Sequence, residues 1–256
     1  NKISSSRTLD CTVSGFTVKN PTCNKSCDGA IKVSLATGTP PFTYNWYPGT
    51  PSGDGTDSIY NLCNGTYLVM VTDGDGNTCA GDTAIIEPAA LVGITSQTSA
   101  TCMGNCDGKA KISSVTGGTP PYTYLWSTTP AQTTSTISNL CVGTYTITLN
   151  DKNECIFTDD ITVTQPLVLL PNGQSTNILC FGSCNGSASV APTGGTVPYT
   201  YLRMPGGATT SSVTGLCAPS SYTCTIIDKN GCTTAYTASI TQSSELTVNV
   251  TGTNLL

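Results

Sequence analysis

Fourteen cysteines and no histidine in 256 residues define the chemistry open to this chain. Without His there is no Ser-His or Cys-His nucleophile pair and no His-metal site. The close cysteine pairs are C-x₃-C (Cys23/Cys27, Cys102/Cys106, Cys180/Cys184). Zinc sites favour C-x₂-C and often add His, so the expected chemistry is disulfide formation in an oxidising, exported setting. Asp73, Asp75 and Asn77 alternate with glycines like part of a calcium loop, and the same letters also suit a plain hairpin turn. No other metal or cofactor is expected. Asp73, Asp151 and Asp228 recur at one position of a repeat, which sets the copies roughly 30–40 Å apart and prevents them from sharing an active site. No catalytic constellation is found, so an enzyme is not expected.

Net charge is −5, from 10 basic and 15 acidic side chains, with no basic cluster to suit nucleic acid. No apolar run approaches the ~20 residues of a membrane-spanning helix.

Lining up the cysteines exposes a repeat. Cys23, Cys27, Cys63 and Cys79 are followed by Cys102, Cys106, Cys141 and Cys155, then by Cys180, Cys184, Cys217 and Cys232. The period is about 78 residues, and the surrounding text repeats with it. "CDGAIKVSLATGTPPFTYNW" becomes "CDGKAKISSVTGGTPPYTYLW" and then "CNGSASVAPTGGTVPYTYLR". The expected division is 1–21 as the tail of a preceding repeat, repeats at 22–90, 91–168 and 169–245, and 246–256 as the first strand of a following one. Cys11 would then be a fourth-position cysteine whose partner lies upstream. "TNLL" at the C-terminus copies the "TNIL" before Cys180, so a first-position cysteine is expected next, in a longer array.

Within a repeat the hydrophobic period is two, with turn residues every ~8–12 positions. In the second, Lys109–Val115 reads as a strand and Gly117–Pro121 as a turn. Tyr122, Tyr124 and Trp126 share one face of the next strand, and Tyr145, Ile147 and Leu149 share another. The expected fold is all-β, a tandem array of seven-strand immunoglobulin-like sandwiches, each with two disulfides. Four cysteines allow three pairings. The second and third begin strands at the same end, which favours Cys27–Cys63, Cys106–Cys141 and Cys184–Cys217. First-to-fourth bridges Cys23–Cys79, Cys102–Cys155 and Cys180–Cys232 would then complete each repeat. The rival is a link from each fourth cysteine to the next first one, such as Cys79–Cys102. Cys224 stands where Val69 and Ile147 stand and reads as a buried free thiol. Trp46 and Trp126 read as core residues rather than sugar-stacking platforms.

The run "CDG…GGTPPYTYLW…NLCVGTYTITLNDKNEC…VTQPL" resembles the SprB repeat of large Bacteroidota surface adhesins and gliding-motility proteins, in all three units. The resemblance implies type 9 secretion, a cell-surface location and a long filament. It also implies that second and third cysteines pair, because family members lacking one tend to lack the other. The third unit departs from the pattern, with Val197-Pro198 for Pro-Pro, Arg203 for Trp and Ala218–Ser221 for x-Gly-Thr. Asp57-Ser58-Ile59 and Asp82-Thr83-Ala84 resemble the motif on which Bacteroidota attach O-glycans, which makes Ser58 and Thr83 candidates. The expected role is mechanical: rigid beads that carry an adhesive tip or transmit motor force. Partners would be neighbouring repeats, a surface polysaccharide or substratum, and outer-membrane motility or secretion machinery reached through other parts of the protein. Carbohydrate-binding modules, or the spacer of a secreted enzyme, are the alternatives.

Overall fold

A computed structural model describes residues 10–250 and residue 252. Its secondary structure is all β. The first repeat contains β1 (Thr12–Lys19), β2 (Gly29–Thr37), β3 (Thr43–Tyr47), β4 (Ser58–Leu62), β5 (Gly65–Thr72) and β6 (Thr78–Ile85). The second contains β7 (Val92–Thr98), β8 (Gly108–Thr116), β9 (Thr123–Trp126), β10 (Thr136–Leu140), β11 (Gly143–Asn150) and β12 (Ile156–Val163). The third contains β13 (Gly173–Thr176), β14 (Gly186–Val190), β15 (Thr200–Met204), β16 (Ser212–Leu216), β17 (Ser220–Ile227) and β18 (Thr233–Ile240).

Each repeat has two three-stranded sheets with the same connectivity: β1-β2-β4 with β3-β5-β6, β7-β8-β10 with β9-β11-β12, and β13-β14-β16 with β15-β17-β18. This is the immunoglobulin-like order without the fourth of its seven strands. The expectation of seven strands is thus corrected to six. Between β3 and β4 the first repeat has "PGTPSGDGTD", where two prolines and three glycines favour turns over an edge strand.

Alternation builds the core. In the first repeat Ile31 and Val33 of β2, Ile59 and Leu62 of β4, Trp46 of β3, Val69 and Val71 of β5 and Ile85 of β6 form one buried cluster. The "NLC" corner has a local cause. Asn61 (φ 58°), Asn139 (φ 59°) and Gly215 (φ 74°) are left-handed, a region that Asn and Gly tolerate, and each turns the chain toward the third cysteine. Just beyond it, Tyr67, Tyr145 and Tyr222 donate their hydroxyls to the carbonyls of Cys63, Cys141 and Cys217, at 3.1, 3.0 and 3.3 Å. A tyrosine reaching back across this corner is an immunoglobulin-like hallmark.

The expected boundary at residue 21 is also corrected. β1 pairs antiparallel with β2 from Thr12↔Thr37 to Lys19↔Ala30, so this segment opens the first repeat and is no tail of an earlier one. Leu246, Val248 and Val250 are exposed and outside any strand, and the "TNLL" segment lies outside the described residues.

The chain forms two compact units. The first holds the described residues up to Ser96, with Ile112–Ser135 and Thr146–Asp160; the second holds Gln97–Lys111, Thr136–Tyr145 and the described residues from Ile161 onward.

Candidate functional site

The cysteines sit at strand ends. In the first repeat Gly65 pairs with Ile85 and Thr72 with Thr78, so β5 runs from the Cys63 end of the sandwich to the Cys79 end. Cys27 is bonded to Cys63, with Cα atoms 4.0 Å apart, and Cys23 belongs to that same end. Cys79 lies across the length of β5, about 25 Å away at ~3.3 Å per residue. A disulfide tolerates a Cα separation of no more than ~7 Å. An in-repeat first-to-fourth bridge is therefore excluded by the length of one strand.

The structure instead bonds Cys23 to Cys155 and Cys102 to Cys232, with Cα separations of 5.5 and 5.7 Å. These replace the expected Cys23–Cys79, Cys102–Cys155 and Cys180–Cys232, and the rival Cys79–Cys102 is not formed either. The short linker explains the pairing. β6 ends beside Cys63, and residues 86–91 then lead into β7, which starts at the hairpin end of the second repeat, where Cys155 waits. Second-to-third bridges Cys27–Cys63, Cys106–Cys141 and Cys184–Cys217 close each repeat internally. Cys11, expected to lack a partner within this stretch, is bonded to Cys79. Cys180 is free and exposed, and Cys224 is free and buried.

Two carboxylate clamps hold the bridging loops. At the donor end Asp28 accepts from the Thr22 amide and hydroxyl, at 2.9 and 2.8 Å, and from Ser26, at 2.6 Å. The Ser26 hydroxyl first, then the Thr22 amide and hydroxyl, lower its pKa from 3.8 to about 2. Asp107 is likewise lowered by the Thr101 hydroxyl and amide. At the acceptor end Asp151 is buried. It accepts from the amides of Asn153 (2.8 Å), Cys155 (2.8 Å) and Thr119 (2.7 Å), tying the fourth cysteine to the turn between β8 and β9. Burial pushes its pKa up, and these amides outweigh that and hold it below the ordinary value. Asp228 repeats the arrangement with Asn230, Cys232 and Thr196, at 2.8, 2.9 and 2.8 Å.

The junction adds further contacts. Asn230 Nδ2 donates to the Thr101 carbonyl at 2.9 Å, beside Cys102. The Gly195 amide donates to the Leu167 carbonyl of the linker at 2.9 Å. A cleft of about 350 Å³ follows this junction, lined by Met103, Pro166, Leu167, Val168 and Gly231 among others.

The remaining candidates are placed as follows. Asp73 accepts from the Asp75 and Asn77 amides, from Asn77 Nδ2 and from the Thr39 amide, so its oxygens are engaged by the protein. Among the described residues no group of three His, Cys, Asp or Glu is arranged to hold a metal. Ser58, at the start of β4, donates to Asp57 at 2.8 Å, and Thr83 lies half-buried on β6. Trp46 and Trp126 are 0% and 1% exposed. Their indole nitrogens donate to the Thr56 and Thr134 carbonyls, at 3.0 and 2.9 Å, so neither ring offers an exposed platform. Arg203 fills the same buried slot and donates to the Thr210 carbonyl at 2.9 Å and to that of Ser211.

Taken together, the topology and the cysteine bridges define a class, an immunoglobulin-like tandem array of disulfide-linked repeats. The SprB repeat matches at three segments, residues 15–51, 94–130 and 172–206, one in each repeat of this chain. No curated protein matches the chain. Among solved structures it is similar to immunoglobulin domains 1–5 of Sidekick-1, at 10% identity and TM-score 0.37, covering 91% of this chain and 58% of that one. It spans, therefore, little more than half of that protein's solved chain. It is also similar to a tetra-tandem repeat from the extending region of a large adhesion protein, at 14% identity and TM-score 0.27, covering 91% and 74%.

Proposed function

We propose that this chain is a load-bearing segment of an extracellular, cell-surface adhesin-type filament, carried out by type 9 secretion and taking part in attachment and gliding. The observation that carries the reading is the interleaving of Cys23–Cys155 with Cys102–Cys232. Pulled between Cys23 and Cys232, a fully unfolded chain without bridges would span roughly 210 residues, or ~730 Å at ~3.5 Å each. With the bridges, the shortest covalent path runs from Cys23 to Cys155, back to Cys141, across to Cys106, back to Cys102 and across to Cys232. That path contains roughly 20 residues and reaches only ~80 Å. A linear array gains nothing catalytic from such cross-linking, whereas a tether under tension keeps its length even when its sandwiches open. Each inter-repeat bridge, taken singly, also stabilises by about 5 kcal/mol on the chain-entropy estimate, for loops of more than a hundred residues.

The test uses cells that display the protein with Cys23→Ser and Cys102→Ser. Attachment at rest should persist, and detachment under fluid shear should rise several-fold. Unchanged shear resistance and unchanged gliding, with the protein present on the surface, would contradict a load-bearing role.

A further inference from the structure

Two substitutions set the first repeat apart. Cys11, at the head of β1, stands where the second and third repeats have Leu91 and Leu169, and all three are 8% exposed. It is bonded to Cys79, a fourth-position cysteine. In the second repeat that position, Cys155, is occupied by the first-position Cys23 of the preceding repeat, and in the third Cys232 is occupied by Cys102.

The second substitution is independent of the sulfur chemistry. Gly117 and Gly194 seat the incoming linker: a Cβ there would lie 2.0 Å from the Ala90 carbonyl oxygen and 1.9 Å from that of Val168. Both glycines are also left-handed, at φ +68° and +75°. The first repeat has Thr37 at this place, and its hydroxyl donates to the Asp10 carbonyl. Asp10, just before Cys11, thus sits on Thr37 as Ala90 and Val168 sit on Gly117 and Gly194.

We propose that the first repeat is a closed end of the disulfide ladder. Cys11 takes up the one sulfur that could receive the first-position cysteine of another repeat. The partner this face is built to take, and is closed against, is the Cys23-type loop of an SprB repeat. Exposed Cys180, the first-position cysteine of the third repeat, is the complementary open end. This inference rests on the bridge pattern and is independent of any role in attachment.

Opening the cap should create a head-to-tail joint between copies. In Cys11→Leu/Thr37→Gly, Cys79 is a thiol. With oxidised glutathione as oxidant, Cys79 forms a mixed disulfide and releases one glutathione thiol. The Cys180 thiolate of a second copy then attacks it, forming Cys79–Cys180 and releasing the second. In a glutathione buffer the wild type should yield a Cys11–Cys79 peptide and no chains linked through Cys79. The double variant should form covalent multimers joined by a Cys79–Cys180 peptide, and adding Cys180→Ser should return it to monomer. Two results would overturn the proposal. One is a wild-type map that contains Cys23–Cys155 and Cys102–Cys232 but lacks Cys11–Cys79. The other is a double variant that keeps both inter-repeat peptides yet stays monomeric. The wild-type map decides alone should the variant fail to fold, and loss of all inter-repeat peptides would strike the ladder itself rather than its cap.

Discussion

Cys23 of the first repeat is bonded to Cys155 of the second, 132 residues further along the chain. Because Cys102–Cys232 begins inside that loop and ends outside it, the two bridges form an overlapping chain of links rather than a row of separate clasps.

The two free cysteines should differ sharply in reactivity. Cys180 is exposed. Cys224 is 0% exposed, and burial pushes its thiol pKa up, although Arg203 across the strand pair opposes this. Since the thiolate is the nucleophile, iodoacetamide should alkylate Cys180 in native protein within minutes and reach Cys224 only in denaturant. Equal labelling of both in the native state would refute this placement.

Arg203 supplies a second prediction. Trp126 shows how the slot is normally filled, by a buried ring with one N–H donated to a facing carbonyl. Arg203→Trp should therefore cost less than Arg203→Ala, because the ring fills the slot and its N–H can serve one of the two carbonyls. Arg203→Ala leaves a cavity and two facing carbonyls without their donor, at about 2–4 kcal/mol. Chemical denaturation of the two variants should rank them in that order, and the reverse ranking would contradict it.

Asp28 sets a pH dependence. Its folded pKa is depressed to about 2 from 3.8. The stability it contributes is thus fully present above the ordinary value and is lost as pH falls through about 2. A carboxyl NMR titration should give a midpoint near 2 for Asp28, and Asp28→Asn should flatten the stability change between pH 4 and 2. An ordinary midpoint would mean that the Ser26 and Thr22 hydrogen bonds do not form in solution.

Much of the fold could be read from residues. Alternation at Tyr145, Ile147 and Leu149 located β11, and the repeated "GTPP" text marked the turn before β3. The inter-repeat pairing was missed for a definite reason. Knowing that Cys27 and Cys63 share an end settles one pairing, and it leaves open where Cys79 falls until strand ends are followed through β5 and β6. Followed that far, the text places Cys23 and Cys79 at opposite ends and points Cys23 toward the next repeat's hairpin. Cys11 misled because assigning 1–21 to the tail of a preceding repeat makes it a fourth-position cysteine, whereas the apolar slot it shares with Leu91 and Leu169 places it at the head of β1. Arg203 is a buried residue that hydropathy alone would have put on the surface.

The most direct test of the account is single-molecule extension between handles placed at residues 22 and 233. In oxidised protein the contour length between them after complete unfolding should be ~80 Å, rising to ~200 Å in Cys106→Ser/Cys141→Ser and to ~730 Å after reduction. An oxidised value of ~190 Å, unaffected by Cys106→Ser/Cys141→Ser, is the length that bridges confined within single repeats would give, and it would contradict the ladder.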